Sequence, residues 1–209
     1  MPKKINIEKK ILKKSVSLFY KYGYTRASIR DIVKAVGINN STVYLYYKNK
    51  AEILFNIIVD IGAELLEELG EVIERKHDQN DTIECLQAMI FKQICFSTER
   101  HKEMKIYLEE QFQLPSHLRK KAYKQHRQIY DLYYSKVCQL EKKGLLNNRI
   151  DKAVITFGIF AMINWVYRWF QPNGPLSIEN IAENIIEMFF AGILREGSKH
   201  QVNSGILSN

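Results

Sequence analysis

Proline stands at only four of 209 positions: 2, 115, 172 and 175. Between them run long stretches whose apolar residues recur three and four apart, the period of an amphipathic helix, without the one residue that most reliably breaks it. The chain therefore reads as all-α. Punctuation divides it into a three-helix headpiece over residues 1–50, a six-helix body over 51–196 and a polar tail, 197–209, which has no period and is expected to be mobile.

Glycines, caps and prolines place the helices. A first helix, Ile5 to Tyr22, carries Ile7, Ile11, Leu18 and Tyr22 along one stripe and ends at Gly23. Ser28 and Asp31 form a capping box for a short second helix with Ile29, Ile32, Val33 and Val36 on its inner edge, stopped by Gly37. A third runs from after Asn39 to about Tyr46. Asn49 and Glu52 then pair to open a long fourth, toward Arg75. A fifth spans about Thr82 to Thr98, and a sixth extends to about Gln113, before Leu114-Pro115. The seventh runs from Ser116 to Lys143 and closes at Gly144; the eighth runs from Asp151 to Phe170. The ninth shows one continuous apolar face: Ile178, Ile181, Ala182, Ile185, Ile186, Phe189, Phe190 and Ile193.

Charge is divided as sharply as structure. Residues 1–50 hold twelve basic side chains against two acidic ones, a net +10, and the other 159 residues sum to −2. A basic headpiece on a near-neutral body implies an anionic polymer or surface as its partner. Three scattered cysteines (Cys85, Cys95, Cys138) suggest neither a disulfide framework nor a zinc site, and the basic N-terminus lacks a following apolar signal core. The longest apolar run, Ala153 to Tyr167, is shorter than the ~20 residues of a membrane span. A cytoplasmic protein with no membrane association and no bound cofactor is the expectation.

Two short helices joined at Gly37-Ile38 and packed on a longer one fit a helix-turn-helix. The third helix displays small hydrogen-bonding groups and phenols, while Val43 and Tyr47 can turn inward. Recognition helices read base edges mostly from their N-terminal residues, and hydroxyls, lysines and helix N-termini hold phosphates. Double-stranded DNA is thus the expected partner. Ser28, Thr42, Tyr44 and Lys50 are the phosphate candidates; Asn40, Ser41 and Tyr46, beside Asn39, are the base-edge candidates.

The run from Gly23-Tyr24-Thr25-Arg26-Ala27-Ser28 through Gly37 to Tyr46-Tyr47-Lys48-Asn49-Lys50 resembles the headpiece of TetR-family transcriptional regulators. Tyr47 stands where that family usually has Phe, so one extra hydroxyl needs a partner. The resemblance implies a dimeric, all-helical repressor whose body binds a small effector and releases DNA.

On the seventh helix Arg119, Tyr123, Arg127, Tyr130 and Tyr134 share a face, a mixture suited to a ligand with an anionic part and a flat or greasy part. The alternative is tyrosines packed on neighbours and arginines in solvent. The segment Asn164-Trp165-Val166-Tyr167-Arg168-Trp169-Phe170, with Pro172-Asn173-Gly174-Pro175, is similar to a TetR branch that senses acyl-coenzyme A thioesters. Glu109, Leu114, Arg119, Arg127, Tyr130, Gly144 and Asp151 share that similarity, whereas Gln171 falls where the branch often has Arg. An acyl-CoA effector needs an apolar cavity, for which Phe91, Phe112, Phe157, Phe160 and Met162 are candidates. It also needs a cationic mouth, for which Arg119, Arg127 and Arg168 are candidates, with Trp165 or Trp169 to stack or pack.

The eighth and ninth helices, with Gly158, Ala161, Ala191 and Gly192 allowing close approach, suit a homodimeric four-helix bundle. Enzyme signatures are missing: there is no P-loop, GxSxG, HExxH or dinucleotide fingerprint, and the five histidines lack metal-ligand spacing. The reading is therefore not an enzyme. A multidrug-type regulator with an apolar effector and an acyl-CoA-using enzyme are the alternatives.

Overall fold

Side chains that cap or break helices account for most element boundaries in the computed structural model, which describes residues 2–77, 81–147 and 149–196. Helix α1 (Pro2–Tyr22) ends at Gly23, where φ is 77° and the N–H donates to Phe19 O at 2.9 Å. Helix α2 (Ile29–Val36) opens with the complete capping box. The Ser28 hydroxyl accepts from Asp31 N at 3.2 Å, and the Asp31 carboxylate accepts from Ser28 N at 2.8 Å. The Ser28 hydroxyl, which also donates to this carboxylate, and then the Ser28 N–H hold the Asp31 carboxyl below its ordinary range. Gly37, in the left-handed region, terminates α2, and α3 (Asn40–Tyr44) follows at once.

Helix α4 (Lys50–His77) starts where Asn49 Oδ1 accepts the Glu52 N–H at 3.0 Å. The reciprocal half of this cap is displaced by one residue, because the Glu52 carboxylate takes the N–H of Lys48 at 2.5 Å rather than that of Asn49. Next come α5 (Thr82–Glu99), α6 (His101–Glu109), α7 (Ser116–Lys142), α8 (Lys152–Ile163), α9 (Val166–Trp169) and α10 (Ile178–Ile193).

Three expected helices are shorter than the sequence suggests, the third stopping at Tyr44 rather than about Tyr46. The sixth stops at Glu109, and Gln111–Gln113 tighten into a 3₁₀ turn; Leu114 must be extended ahead of Pro115 and is, at φ −68° and ψ 139°. The eighth divides into α8 and α9 at Asn164 and Trp165. Asn164, whose N–H still donates to Phe160 O at 3.0 Å, accepts a 3.1 Å bond on Oδ1 from Gln93 Nε2 of α5. The tail expected to be mobile, 197–209, lies outside the described residues.

By contacts the chain forms two units, one of residues 1–64 and 100–126 and one of 65–99 and 127–209. In the first, α2 and α6 both pack on α1. The inner face of α1 is accordingly Ile11, Ser15, Val16 and Phe19, while Tyr22, expected on the buried stripe, is exposed. Ile32, Val36, Val43, Tyr47, Ile53 and Leu54 complete this core, each large aliphatic side chain contributing about 1.5–3 kcal/mol by leaving water. Burial raises the Tyr47 phenol's pKa, and the nearby carboxylates of Glu8, Asp60 and Glu52 add to the effect.

In the second unit α10 packs on α5 and α8, and α9 on α5. Ile181, Ala182, Ile186, Phe189, Phe190 and Ile193 are the buried part of the expected α10 face. The buried Tyr133 hydroxyl lies 3.0 Å from both Met89 O and Gln93 Oε1, so the Gln93 amide joins α7 to the α8–α9 junction.

Candidate nucleic-acid interface and effector-binding body

Val43 and Tyr47 are buried four residues apart, so they anchor α3 and the turn after it and present the intervening positions outward. Asn39, Asn40, Ser41, Tyr44 and Leu45 are exposed, and Thr42 and Tyr46 half-buried. Tyr44 is 54% and Leu45 79% accessible. The Thr42 hydroxyl donates to Asn39 Oδ1 at 3.0 Å, and no backbone N–H of α3 takes a side-chain cap from Asn39. Thus six of the eight expected DNA-contacting residues are gathered at α3: Asn40, Ser41, Thr42 and Tyr44 on the helix, Asn39 at its N-cap and Tyr46 in the turn after it.

The other two have structural work. The Ser28 hydroxyl donates to Asp31 Oδ2 at 2.6 Å within the capping box. The Lys50 ammonium reaches back to Tyr24 O and Ala27 O, both at 2.8 Å, and to Thr25 O at 3.4 Å, with the Tyr24 ring centroid 4.2 Å away. Burial lowers the pKa of this ammonium, against the opposing influence of Glu110. Lys50 is thereby a clamp on the α1–α2 loop.

Leu45 lies opposite the inward-facing Val43 and Tyr47, a position that their spacing alone implies. Arg26, Arg30, Lys34 and Lys48 are also exposed around the same helices. With residues 100–126 included, the first unit carries 19 basic against 8 acidic side chains, a net +11, and the second sums to −3.

In the second unit Tyr130 is the centre of an aromatic cluster. Its ring centroid lies 5.6 Å from Tyr134, 5.2 Å from Phe157 and 6.3 Å from Phe160, and Phe160 in turn meets Tyr133 at 5.1 Å. Arg127 sits over the Tyr130 ring at 5.1 Å and pairs with Asp131 at 2.9 Å. Arg168 covers Trp165 at 4.4 Å. Arg119 belongs to the first unit, 3.5 Å from Phe112 O.

Several residues expected to receive an acyl chain or stack on its carrier are exposed in the single chain. Phe112 is exposed, Phe157 is 62% and Trp165 56% accessible, and Trp169 is also exposed. Val154, Phe157, Ala161 and Trp165, spaced by three, four and four, make one apolar stripe along α8 and the turn after it. Beside α10 an open groove of about 780 Å³ is lined mainly by apolar side chains, among them Trp169, Leu176, Ile185 and Met188, with Asn184 and Glu187 as its polar members. Among the described residues no cluster of His, Cys, Asp and Glu suits a metal ion, and no helix is long and apolar enough to cross a membrane.

Residues 11–57 match the tetR family of bacterial regulatory proteins, and residues 79–193 match the tetracyclin repressor-like C-terminal domain. The chain is 29% identical to the uncharacterized HTH-type transcriptional regulator YvdT of Bacillus subtilis, over 92% of this chain and 87% of that protein. Its fold is similar to the crystal structure of AibR in complex with isovaleryl coenzyme A and operator DNA, at 27% identity and a TM-score of 0.79, over 88% of this chain and 98% of that one. The ketosteroid transcriptional regulator KstR2 of Mycobacterium tuberculosis has the same fold, at 19% identity and a TM-score of 0.80, over 90% and 95%. Since the C-terminal match alone spans more than half of the residues and the headpiece is matched separately, the chain belongs to the TetR family of bacterial transcriptional regulators.

Proposed function

We propose that the protein is a homodimeric repressor that binds a palindromic operator and is released from it by an acyl-CoA thioester. The observation that carries this reading is the anchored α3, with its exposed polar groups on a strongly basic unit, in a chain 27% identical to a regulator crystallised with both an acyl-CoA and operator DNA. Asn40, Ser41 and Tyr46 would meet base edges, and Leu45 a thymine methyl. Thr42, Tyr44, Arg26, Arg30, Lys34 and Lys48 would hold phosphates, while Ser28, Asn39 and Lys50 keep the two short helices in place.

The exposed stripe of α8 and the groove beside α10 suit the same surfaces of a second copy. A palindromic operator would offer two half-sites about 34–36 Å apart, one turn of duplex, to the two recognition helices of such a dimer. Within the second unit Arg127, Tyr130, Tyr134 and Phe160 are the preferred effector candidates, followed by Arg168 and Trp169; Arg119 is a separate candidate in the first unit. The protein would act in the cytoplasm by binding alone, with no catalytic step. Release is a population shift: the thioester must bind a conformation poor at binding DNA more tightly than the DNA-competent one. Helix α4 starts in the headpiece at Lys50 and is the covalent path for that shift.

Fluorescence anisotropy with duplexes from the protein's own promoter tests the reading. A palindromic site should be bound far better than random duplex at moderate salt, and isovaleryl-CoA or a longer acyl-CoA should weaken binding. Equal affinity for both duplexes would remove the repressor reading. Unchanged operator affinity across saturating acyl-CoAs of several chain lengths would remove the effector reading.

A further inference from the structure

Helices α4, α6 and α7 enclose three polar atoms that have no hydrogen-bond partner among the described residues: Tyr107 Oη, Gln125 Oε1 and His126 Nε2. They are neighbours. The Tyr107 and His126 rings stack at 4.2 Å with 18° between their planes, and Tyr107 is only 3% accessible. Gln125 donates Nε2 to Val59 O of α4 at 2.9 Å, which fixes its oxygen as an acceptor with nothing to accept. Gly62 permits the approach, because a Cβ there would stand 2.5 Å from Gln125 Oε1 and 3.1 Å from Tyr107 Cε2.

Orphaned polar atoms cost stability, and three together in a native core call for a reason. Their chemistry narrows the guest. One atom only accepts, and the phenol and imidazole can each donate or accept. The cluster carries no charge at neutral pH, since burial lowers the His126 pKa to about 4. A phosphate or carboxylate would find no counter-charge here, and a plain hydrocarbon would leave all three atoms unpaired.

We infer that Tyr107, Gln125 and His126 form a subsite for an uncharged effector group that both donates and accepts a hydrogen bond, such as a hydroxyl or an amide. This rests on the acyl-CoA reading above, where the group is either a hydroxyl on the acyl chain or an amide of the pantetheine arm. The position suits signalling as well as recognition. Tyr107 lies three residues before Glu110, which accepts the Tyr24 N–H of the α1–α2 loop, and Gln125 rests on the helix that starts at Lys50.

The test is the affinity of the full-length protein, its Tyr107→Phe variant and its His126→Phe variant for isovaleryl-CoA and 3-hydroxyisovaleryl-CoA by isothermal titration calorimetry. The first substitution keeps the ring and loses only the hydroxyl, and the second keeps an aromatic ring in the stack while removing both nitrogens. We expect each variant to weaken binding about tenfold or more. Loss confined to the hydroxylated thioester identifies the acyl hydroxyl as the guest, whereas equal loss for both identifies the pantetheine amide. Wild-type affinities for both thioesters in both variants would overturn the subsite and leave the acyl-CoA reading standing. If the wild-type protein binds neither thioester, the acyl-CoA reading fails and the subsite falls with it.

Discussion

Glu110, just past the end of α6, accepts the backbone N–H of Tyr24 through Oε1 at 3.1 Å, tying a residue of the body sequence to the loop between the first two headpiece helices. A carboxylate holding a backbone N–H is among the stronger kinds of protein hydrogen bond. Glu110→Ala should lower stability by about 1–2 kcal/mol in urea denaturation, and Glu110→Gln, which keeps an acceptor, by less than half of that. Equal losses in the two variants would mean that the bond to Tyr24 is not what the side chain contributes.

Lys50 grips the same loop from the other side through the carbonyls of Tyr24, Thr25 and Ala27. Two roles for it differ in their salt dependence. As a clamp, Lys50→Met costs about 1–3 kcal/mol of stability and weakens operator binding without changing the slope of log affinity against log salt. As a phosphate ligand, its loss lowers that slope by about one and leaves the unfolding midpoint nearly unchanged. The three carbonyl contacts favour the clamp.

Tyr44 and Leu45 are exposed, so replacing them should hardly alter folding. Tyr44→Ala and Leu45→Ala are each expected to stay within about 0.5 kcal/mol of wild-type stability. Operator affinity should nevertheless fall about tenfold or more, with Leu45→Ala acting only on sites that carry a thymine at the contacted position. Tyr47→Phe, in the buried row, should leave the sequence preference unaltered.

Phe157 on α8 and Met188 on α10 are 62% and 63% accessible in a single chain. If these faces join two copies, Phe157→Glu and Met188→Glu should each give a monomer in sedimentation velocity while keeping the helical circular-dichroism spectrum. Operator affinity falls with the loss of the second headpiece. A dimer that survives both substitutions would place the interface elsewhere.

His126 has a pKa lowered by burial from its ordinary value near 6.5 to about 4. The unfolded chain therefore binds a proton between those values and the folded chain does not, so stability rises with pH across the interval and is lost on acidification from 6.5 toward 4. The expected loss is on the order of 3 kcal/mol over the whole interval. His126→Phe should remove that part of the pH dependence, and urea titrations at half-unit steps would show it.

The order and ends of the helices were written locally. Ser28 with Asp31, Gly23, Gly37, Gly144 and Pro115 act within a few residues of themselves, so caps and breaks could be read without knowing what lies across the molecule. The α3 display was legible for the same reason, because Val43 and Tyr47 set its inward side by spacing alone. The tertiary structure decided everything that depends on partners distant in sequence. The Asn164 side chain at the end of α8 finds its partner in Gln93, 71 residues earlier. Lys50 turns away from solvent because three carbonyls more than twenty residues upstream converge on it. Phe157 and Trp165 look like core residues in the sequence, yet they face outward because α5 and α10 bury the opposite side of that segment. Hydrophobicity says that a side chain should leave water, and only packing decides whether its own chain or another copy removes it.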